Sequence, residues 1–503
     1  MKLIIVILTF VILISGPVNY AFGFEFIEPI RGDLPLNEPA FESVYYALDV
    51  LQANGCLTQT RFYDRPYSAD LIRRLLSQIN PDKFDKSARN AYEYLNTRLG
   101  GEVKKDITAG FEAYGTVYSE GDSTFRWGLF PRVEYSAGNL FFTTRYTIES
   151  SLEDNPRYRG KKWRGFGGYG ASVYAAYKTE KLNINFGRRR LNWGPGKTGS
   201  MILSGYSMPY DGLELSYNIH RNIQLSSVSI VLDSQRDSTG SYEQRYLSGH
   251  RLILKPYPRL TLGFSEFVIY GGVGRNPEVY YALPLFFLHG AQLNQGLDDN
   301  TLIEADFRLN LMSATQIYGQ LLIDDIQVES KTRADNEPSE YGVLLGLFHA
   351  GIPALEFFDI RIEYARVTNW TYNQPHDRNK YLNRGYEIGH PLGNDGDMIY
   401  TALTYRPSGK LFCELEYSYR RNGEGGIEAE WDEPWMDVPE YSEDFPTGVV
   451  EKTHELRGSV EYLYKSHLLG SISAWYGDIS NAGNSAGLDD DYSGARFTIK
   501  MLF

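Results

Sequence analysis

Hydrophobic positions recur along this chain with two different periods. From residue 24 to 105 the spacing is helical. In "NEPAFESVYYALDVLQANG", Phe41, Val44, Leu48 and Leu51 form one stripe and Gly55 is a stop signal. In "SADLIRRLLSQI", Ser68 is a candidate N-cap, and Asp70 places an acid in the first turn, where it suits the helix dipole. Asn80-Pro81-Asp82 predicts a third start with Pro at the first helical position, followed by Phe84, Ala88, Ala91, Tyr92 and Leu95 on one face. The segment reads as a three-helix bundle that buries its own apolar faces.

From residue 106 the period is two. The clearest alternations are Leu140/Phe142/Thr144/Tyr146/Ile148, Leu213/Leu215/Tyr217/Ile219, Leu260/Leu262/Phe264, Ile399/Thr401/Leu403/Tyr405 and Leu411/Cys413/Leu415/Tyr417/Tyr419. The last runs through Ala495, Phe497, Ile499 and Met501 to the terminal Phe503. Each run is long enough to cross an outer membrane at a tilt. The connections alternate too: "SAGN" (136–139), "KTEK" (178–181), "HRN" (220–222) and "RPSGK" (406–410) are short, whereas 151–165, 272–299 and 422–448 are long. A soluble sandwich or propeller also has regular short strands, but needs neither this alternation nor a lipid-compatible face on every strand. The expected fold is an all-β transmembrane barrel of about 18 antiparallel strands over residues 106–503, preceded by a small α-helical periplasmic domain over 24–105.

The start of the chain sets the compartment. Met1-Lys2, the apolar run 3–15 and small residues at Ala21 and Gly23 read as a secretory signal peptide cleaved after Gly23. After it there is no run of about 18 apolar residues. The mean hydropathy of −0.36 looks soluble, yet the chain holds 39 Tyr and 49 Gly. In a barrel only alternate residues face lipid, so an average hides the membrane. Cys56 and Cys413 fall in different domains, so no disulfide framework is expected. A net charge of −13 argues against nucleic acid as a partner.

One loop raises a specific question. "NWGPGKTGSMILS" (192–204) contains Gly196-Lys197-Thr198, but a phosphate-binding loop needs Gly at position 191, which is Leu191. The strand "KLNINFGRRR" running upward into it places the loop at or above the cell-surface rim, with Trp193 at interface height or folded into the lumen. The spacing Arg189, Trp193, Gly194, Pro195, Gly196, Ser200 and Ser204 resembles the hallmark of the capsule assembly protein Wzi family. "LDDNTLIEADFRL" (297–309) and "YGQLLIDDIQ" (318–327) resemble adjacent barrel strands of that family. The resemblance implies an outer-membrane, lectin-like protein that anchors capsular or extracellular polysaccharide at the cell surface. Residues 40–58 and 65–76 also faintly resemble S-layer homology modules, without their usual Trp or Thr-Arg-Ala-Glu-like stretch. That would give the helical domain a cell-wall polymer such as peptidoglycan, or a polysaccharide export complex, as partner; a plain periplasmic bundle docked beneath the barrel is the simpler expectation.

Candidate ligand residues follow from sugar chemistry: flat apolar faces stack on pyranose rings, while carboxylates and amides bond the hydroxyls. Trp431, Asp432, Glu433, Trp435, Asp437, Glu440, Tyr441 and Asp444 supply both in one long loop, and the same residues also suit a loop packed on itself. These acids could hold a divalent cation that bridges an acidic polysaccharide, yet their spacing fits no EF-hand, so no metal site is assigned. Arg188, Arg189 and Arg190, with Lys161, Lys162 and Arg164, suit an acidic glycan or lipopolysaccharide phosphates. The alternative for Arg189 is pairing with lumenal carboxylates. The eight histidines form no catalytic motif, so neither turnover nor a cofactor is expected. The competing function is a porin-like channel for small or saccharide solutes, since a barrel of this size can enclose water.

Overall fold

The computed structural model describes residues 30–36, 38, 41–101, 106–120, 122–237, 239–284, 288, 290, 298–325, 336–438 and 441–502. The signal segment, Phe503 and Glu440 lie outside these residues. Eighteen antiparallel strands close into a barrel. They are β1 (Ile107–Glu120), β2 (Asp122–Ala137), β3 (Leu140–Glu149), β4 (Gly167–Lys178), β5 (Leu182–Arg189) and β6 (Tyr210–His220). Next come β7 (Ile223–Val231), β8 (Tyr242–Tyr257), β9 (Leu260–Gly272), β10 (Asn300–Met312), β11 (Thr315–Asp325) and β12 (Glu340–His349). The last are β13 (Phe358–Val367), β14 (Gly396–Tyr405), β15 (Leu411–Asn422), β16 (Glu451–Lys465), β17 (Leu468–Ser480) and β18 (Asp490–Leu502). Each pairs with its neighbours in sequence, and β1 closes on β18 with Thr116 opposite Thr498. Closure leaves no unpaired edge, which a hydrocarbon environment requires.

The two-residue alternation sorts side chains between lipid and lumen. Along β3 exposure and burial alternate from Leu140 to Thr147. Phe142, Phe186, Ile362, Leu415 and Phe497 are exposed on the outside, while Arg145, Glu363 and Thr498 point inward and are buried. One end of the barrel has connections of at most eight residues (350–357); the other carries 150–166, 190–209, 368–395 and 423–450. Cys56 and Cys413 are free thiols.

The helical segment comprises α1 (Glu42–Ala53), α2 (Ala69–Leu76) and α3 (Lys86–Leu99). Two expectations need correction. Pro81–Lys83 is a separate single turn, and α3 starts after Asp85, whose carboxylate accepts from the Ala88 amide at 2.7 Å. Nor does the segment bury only itself. Every residue of α1 except Glu42 is buried, because the helix is inserted in the short-turn mouth of the barrel. Its polar groups meet lumenal ones: Ser43 donates to Glu461 (2.6 Å), Tyr46 to Asp359 (2.7 Å), and Asp49 pairs with Arg361 (2.9 Å). α3 lies across the turns, with Asn90 donating to the Arg406 carbonyl and Arg98 to that of Ser466.

Candidate functional site

The 190–209 loop is not at the rim. β5 ends early, at Arg189, and the chain turns inward to fill the lumen. Asn192 bridges to Arg65 of the helical segment, and the Gly194 amide donates to Asp64 at 3.2 Å. Trp193 is 1% exposed and meets the Phe267 ring edge-on at 5.2 Å. The residues around it explain the motif. Gly194 has φ +122, and a Cβ there would collide with the Gln320 amide and the Ser200 hydroxyl. Ser200 donates to the Trp193 carbonyl and accepts from Gln320 at 2.8 Å. The Ser204 amide donates to the Ile388 carbonyl at 2.9 Å. Lys197 and Thr198 amides both donate to Glu363 at 2.8 Å, so the Gly-Lys-Thr that mimics a phosphate loop grips a carboxylate of its own barrel.

A second layer, 368–395, covers the first. The Tyr372 hydroxyl donates to the Met201 carbonyl, and that of Tyr381 to Ile202 at 2.8 Å. Buried His390 accepts from the Leu392 amide through Nδ1 (3.2 Å), which leaves the proton on Nε2, 3.0 Å from the Thr198 hydroxyl. Burial pushes its pKa down to about 4, against the opposing pull of Glu363. Asp64, at the contact between the helical segment and the plug, is pushed up to about 6 by burial despite Arg251.

The third layer is the surface. Asp395 accepts from the amides of Gly425 (2.9 Å) and Thr447 (3.0 Å), fastening the 423–450 loop to the one below. Trp370, Trp431 and Trp435 form a triangle with centroids 5.1 to 5.9 Å apart. Glu443 orients it by accepting from Trp370 Nε1 (2.7 Å) and the Tyr441 hydroxyl (2.8 Å). Trp435 is buried, Trp431 is half-exposed, and Asp432, Glu433, Asp437 and Asp444 of the same loop are exposed. Trp370 and Glu443 are the partners that sequence reading missed. Trp370 lies 61 positions before Trp431 (431 − 370), and only folding joins them.

The three consecutive arginines do not share a surface. Arg189 lies in the lumen, paired with Asp33 (2.9 Å) and Glu214 (2.5 Å). Arg188, on the opposite face of β5, forks onto Asp211, and Arg190 donates to the carbonyls of Gly205 and Ser207. Lys161, Lys162 and Arg164 are exposed at the long-loop end, next to exposed Trp163. Among the described residues no group of acids, histidines and cysteines is arranged to hold a metal ion.

An even-stranded antiparallel barrel with an apolar exterior, short turns at one end and a lumen filled by its own chain defines an outer-membrane β-barrel of the plugged kind. The chain belongs to the capsule assembly protein Wzi family, which matches residues 108–491. Among solved structures, it is similar to Wzi of Escherichia coli, described as an outer membrane protein involved in group 1 capsule assembly and a carbohydrate-binding β-barrel. The two are 17% identical, with 94% of this chain and 99% of that one covered and a TM-score of 0.64. The OpdK outer membrane protein of Pseudomonas aeruginosa is more distant, at 10% identity, 79% and 99% coverage and a TM-score of 0.47. No curated protein sequence matches.

Proposed function

We propose that this barrel binds saccharide at its long-loop face and so holds capsular or extracellular polysaccharide on the surface of a Gram-negative cell. The observation that carries the reading is the half-exposed Trp431, backed by Trp370 and Trp435, with Glu433 and Glu443 bonded to the indole N–H groups of Trp431 and Trp370. A rigid indole face can stack on a pyranose ring while Asp432 and Asp437 accept its hydroxyls; Trp435 supports that face from beneath. The exposed Lys161, Lys162 and Arg164 offer cations to an acidic glycan or to lipopolysaccharide phosphates. The role is one of binding without turnover, in keeping with the family and the carbohydrate-binding relative. Arg189 and Trp193 serve this site indirectly, by holding the plug that supports it.

The helical segment sits on the periplasmic side in this reading. Its exposed Arg74, Lys83, Arg89 and Glu93 form the surface that peptidoglycan or an export complex would meet. A channel is disfavoured because helices and two loop layers fill the lumen.

The first test is the ratio of cell-bound to released polysaccharide in a strain lacking the protein. Normal total production with most polymer shed into the medium supports anchoring, and an unchanged ratio removes it. Complementation with Trp431→Ala is expected to restore less than half of the retained fraction while leaving barrel assembly intact.

A further inference from the structure

The plug fills the lumen unevenly. Its motif loop leans on β9, β11 and β13 through Phe267, Gln320 and Glu363. The wall around the closing seam, formed by β1, β2, β17 and β18, borders a cavity of about 350 Å³ instead. It extends from Lys500, near the C-terminal end of β18, to Arg126, Glu149 and Ser151, toward the long-loop end.

Two cations of the lining have no carboxylate bonded to them among the described residues. Arg145, Arg251 and Arg361 each hold a carboxylate, as buried cations must to offset their lost hydration. Arg496 and Lys500 do not. The alternation that turns Phe497 to lipid turns both into the cavity, and neither makes a hydrogen bond or ion pair among the described residues. Lys500 is 7% exposed. Glu461, whose charge acts on Lys500, is already bonded by the Ser43 hydroxyl at 2.6 Å and by Tyr94 at 3.4 Å. Glu38 and Glu112, also on the cavity wall, are held by Arg145. The other chemistry present is aromatic and hydroxylic. Tyr114 and Phe130 lie with centroids 6.0 Å apart, Thr116 and Thr498 share a hydrogen bond of 2.8 Å, and Glu149 accepts from Tyr114 and Ser151 at 3.3 Å.

We infer that this seam cavity is a second saccharide site, selective for a sugar unit that carries a carboxylate. Arg496 and Lys500 hold the carboxylate, Tyr114 and Phe130 face the ring, and Glu149 with the two threonines bonds its hydroxyls. Two cations with no bonded carboxylate among the described residues, beside the half-buried Glu149, favour an anionic over a neutral unit. The proposal rests on the reading of the protein as a polysaccharide binder and adds where, and for which sugar chemistry, it is selective.

The experiment is calorimetry on the full chain in detergent micelles. The probes are a tetrasaccharide alternating glucuronate with N-acetylglucosamine and the same compound with its carboxyls reduced to alcohols. The acid is expected to bind at least tenfold more tightly than its reduced form. Arg496→Gln with Lys500→Gln removes that preference, whereas Trp431→Ala keeps it. Thr116→Trp, which fills the cavity from the neighbouring strand and leaves both cations in place, abolishes the preference as well. Heat-dependent gel mobility identifies the folded variants. Equal affinity for the two probes, no binding of the acid, or a preference that survives both the cation and the filling variants overturns the seam site. A polysaccharide-retention defect in the deletion strain would persist in that case, which separates its failure from failure of the anchoring reading.

Discussion

At the scale of single residues, the plug depends on side chains with one tolerated size. Replacing Trp193 by Ala removes an indole packed on all sides, and a large-to-small change of this kind costs about 3–5 kcal/mol. Trp193→Ala is expected to leave the barrel able to form but to lower its melting temperature in detergent and open residues 191–207 to proteolysis. His390 gives the plug a pH dependence of calculable sign. Its folded pKa, about 4, lies below the unfolded value of about 6.5, so the unfolded state binds more protons between them. Its contribution is therefore present above pH 6.5 and is lost as the pH falls toward 4. Asp64 runs the other way: its folded pKa of about 6 lies above the ordinary aspartate value of about 3.9, so it favours the plug as pH falls through that window. The His390 share is isolated by comparison with His390→Gln. Wild type is expected to lose hydrogen-exchange protection in 191–207 between pH 6.5 and 4 relative to the variant. Parallel profiles would refute this.

At the scale of elements, α1 acts as a stopper rather than as part of a free-standing bundle. It binds the barrel through charged pairs as well as apolar contact, chiefly Asp49 with Arg361, while Asp49 also pairs with Arg65 of its own segment. Breaking a buried pair costs about 3–5 kcal/mol when it strands the other charge. Because Asp49 keeps Arg65, Arg361→Met is expected to cost less than that. The change is expected to raise exchange rates in residues 42–53 while β13 stays protected. Equal loosening of helix and strand would show that the pair serves the barrel wall instead. The 368–395 loop is the element that couples the inner plug to the surface triangle, through Tyr372 below and Asp395 and Trp370 above. Damage to the plug should therefore reach the saccharide face.

At the scale of the molecule, the filled lumen predicts electrical silence. Reconstituted in a planar bilayer, the wild type is expected to show no steady ion conductance. A variant that lacks the stopper segment 24–105 and has 191–207 replaced by a short Gly-Ser connection is expected to conduct, since it opens the short-turn mouth and leaves 368–395 without its support. Steady conductance by the wild type would revive the channel function. The closing seam keeps room for a ligand, and among the described residues its Arg496 and Lys500 hold no carboxylate, unlike Arg145, Arg251 and Arg361.

The sequence by itself determined the barrel, because strand alternation and connection length are local properties: Phe142 and Phe497 face lipid by parity alone, with no distant contact needed. It also determined the motif loop as a unit of special backbone, since Gly194 is required wherever φ is positive and no Cβ fits. Only the tertiary structure decided where that loop goes. Its position inward rather than at the rim depends on partners such as Asp64 and Glu363, far away in the chain and unmarked by any period. The same holds for the stopper helix, where Ser43 meets Glu461 across 418 positions. Polar groups inside a barrel must find partners, and no local pattern says which partner each will find.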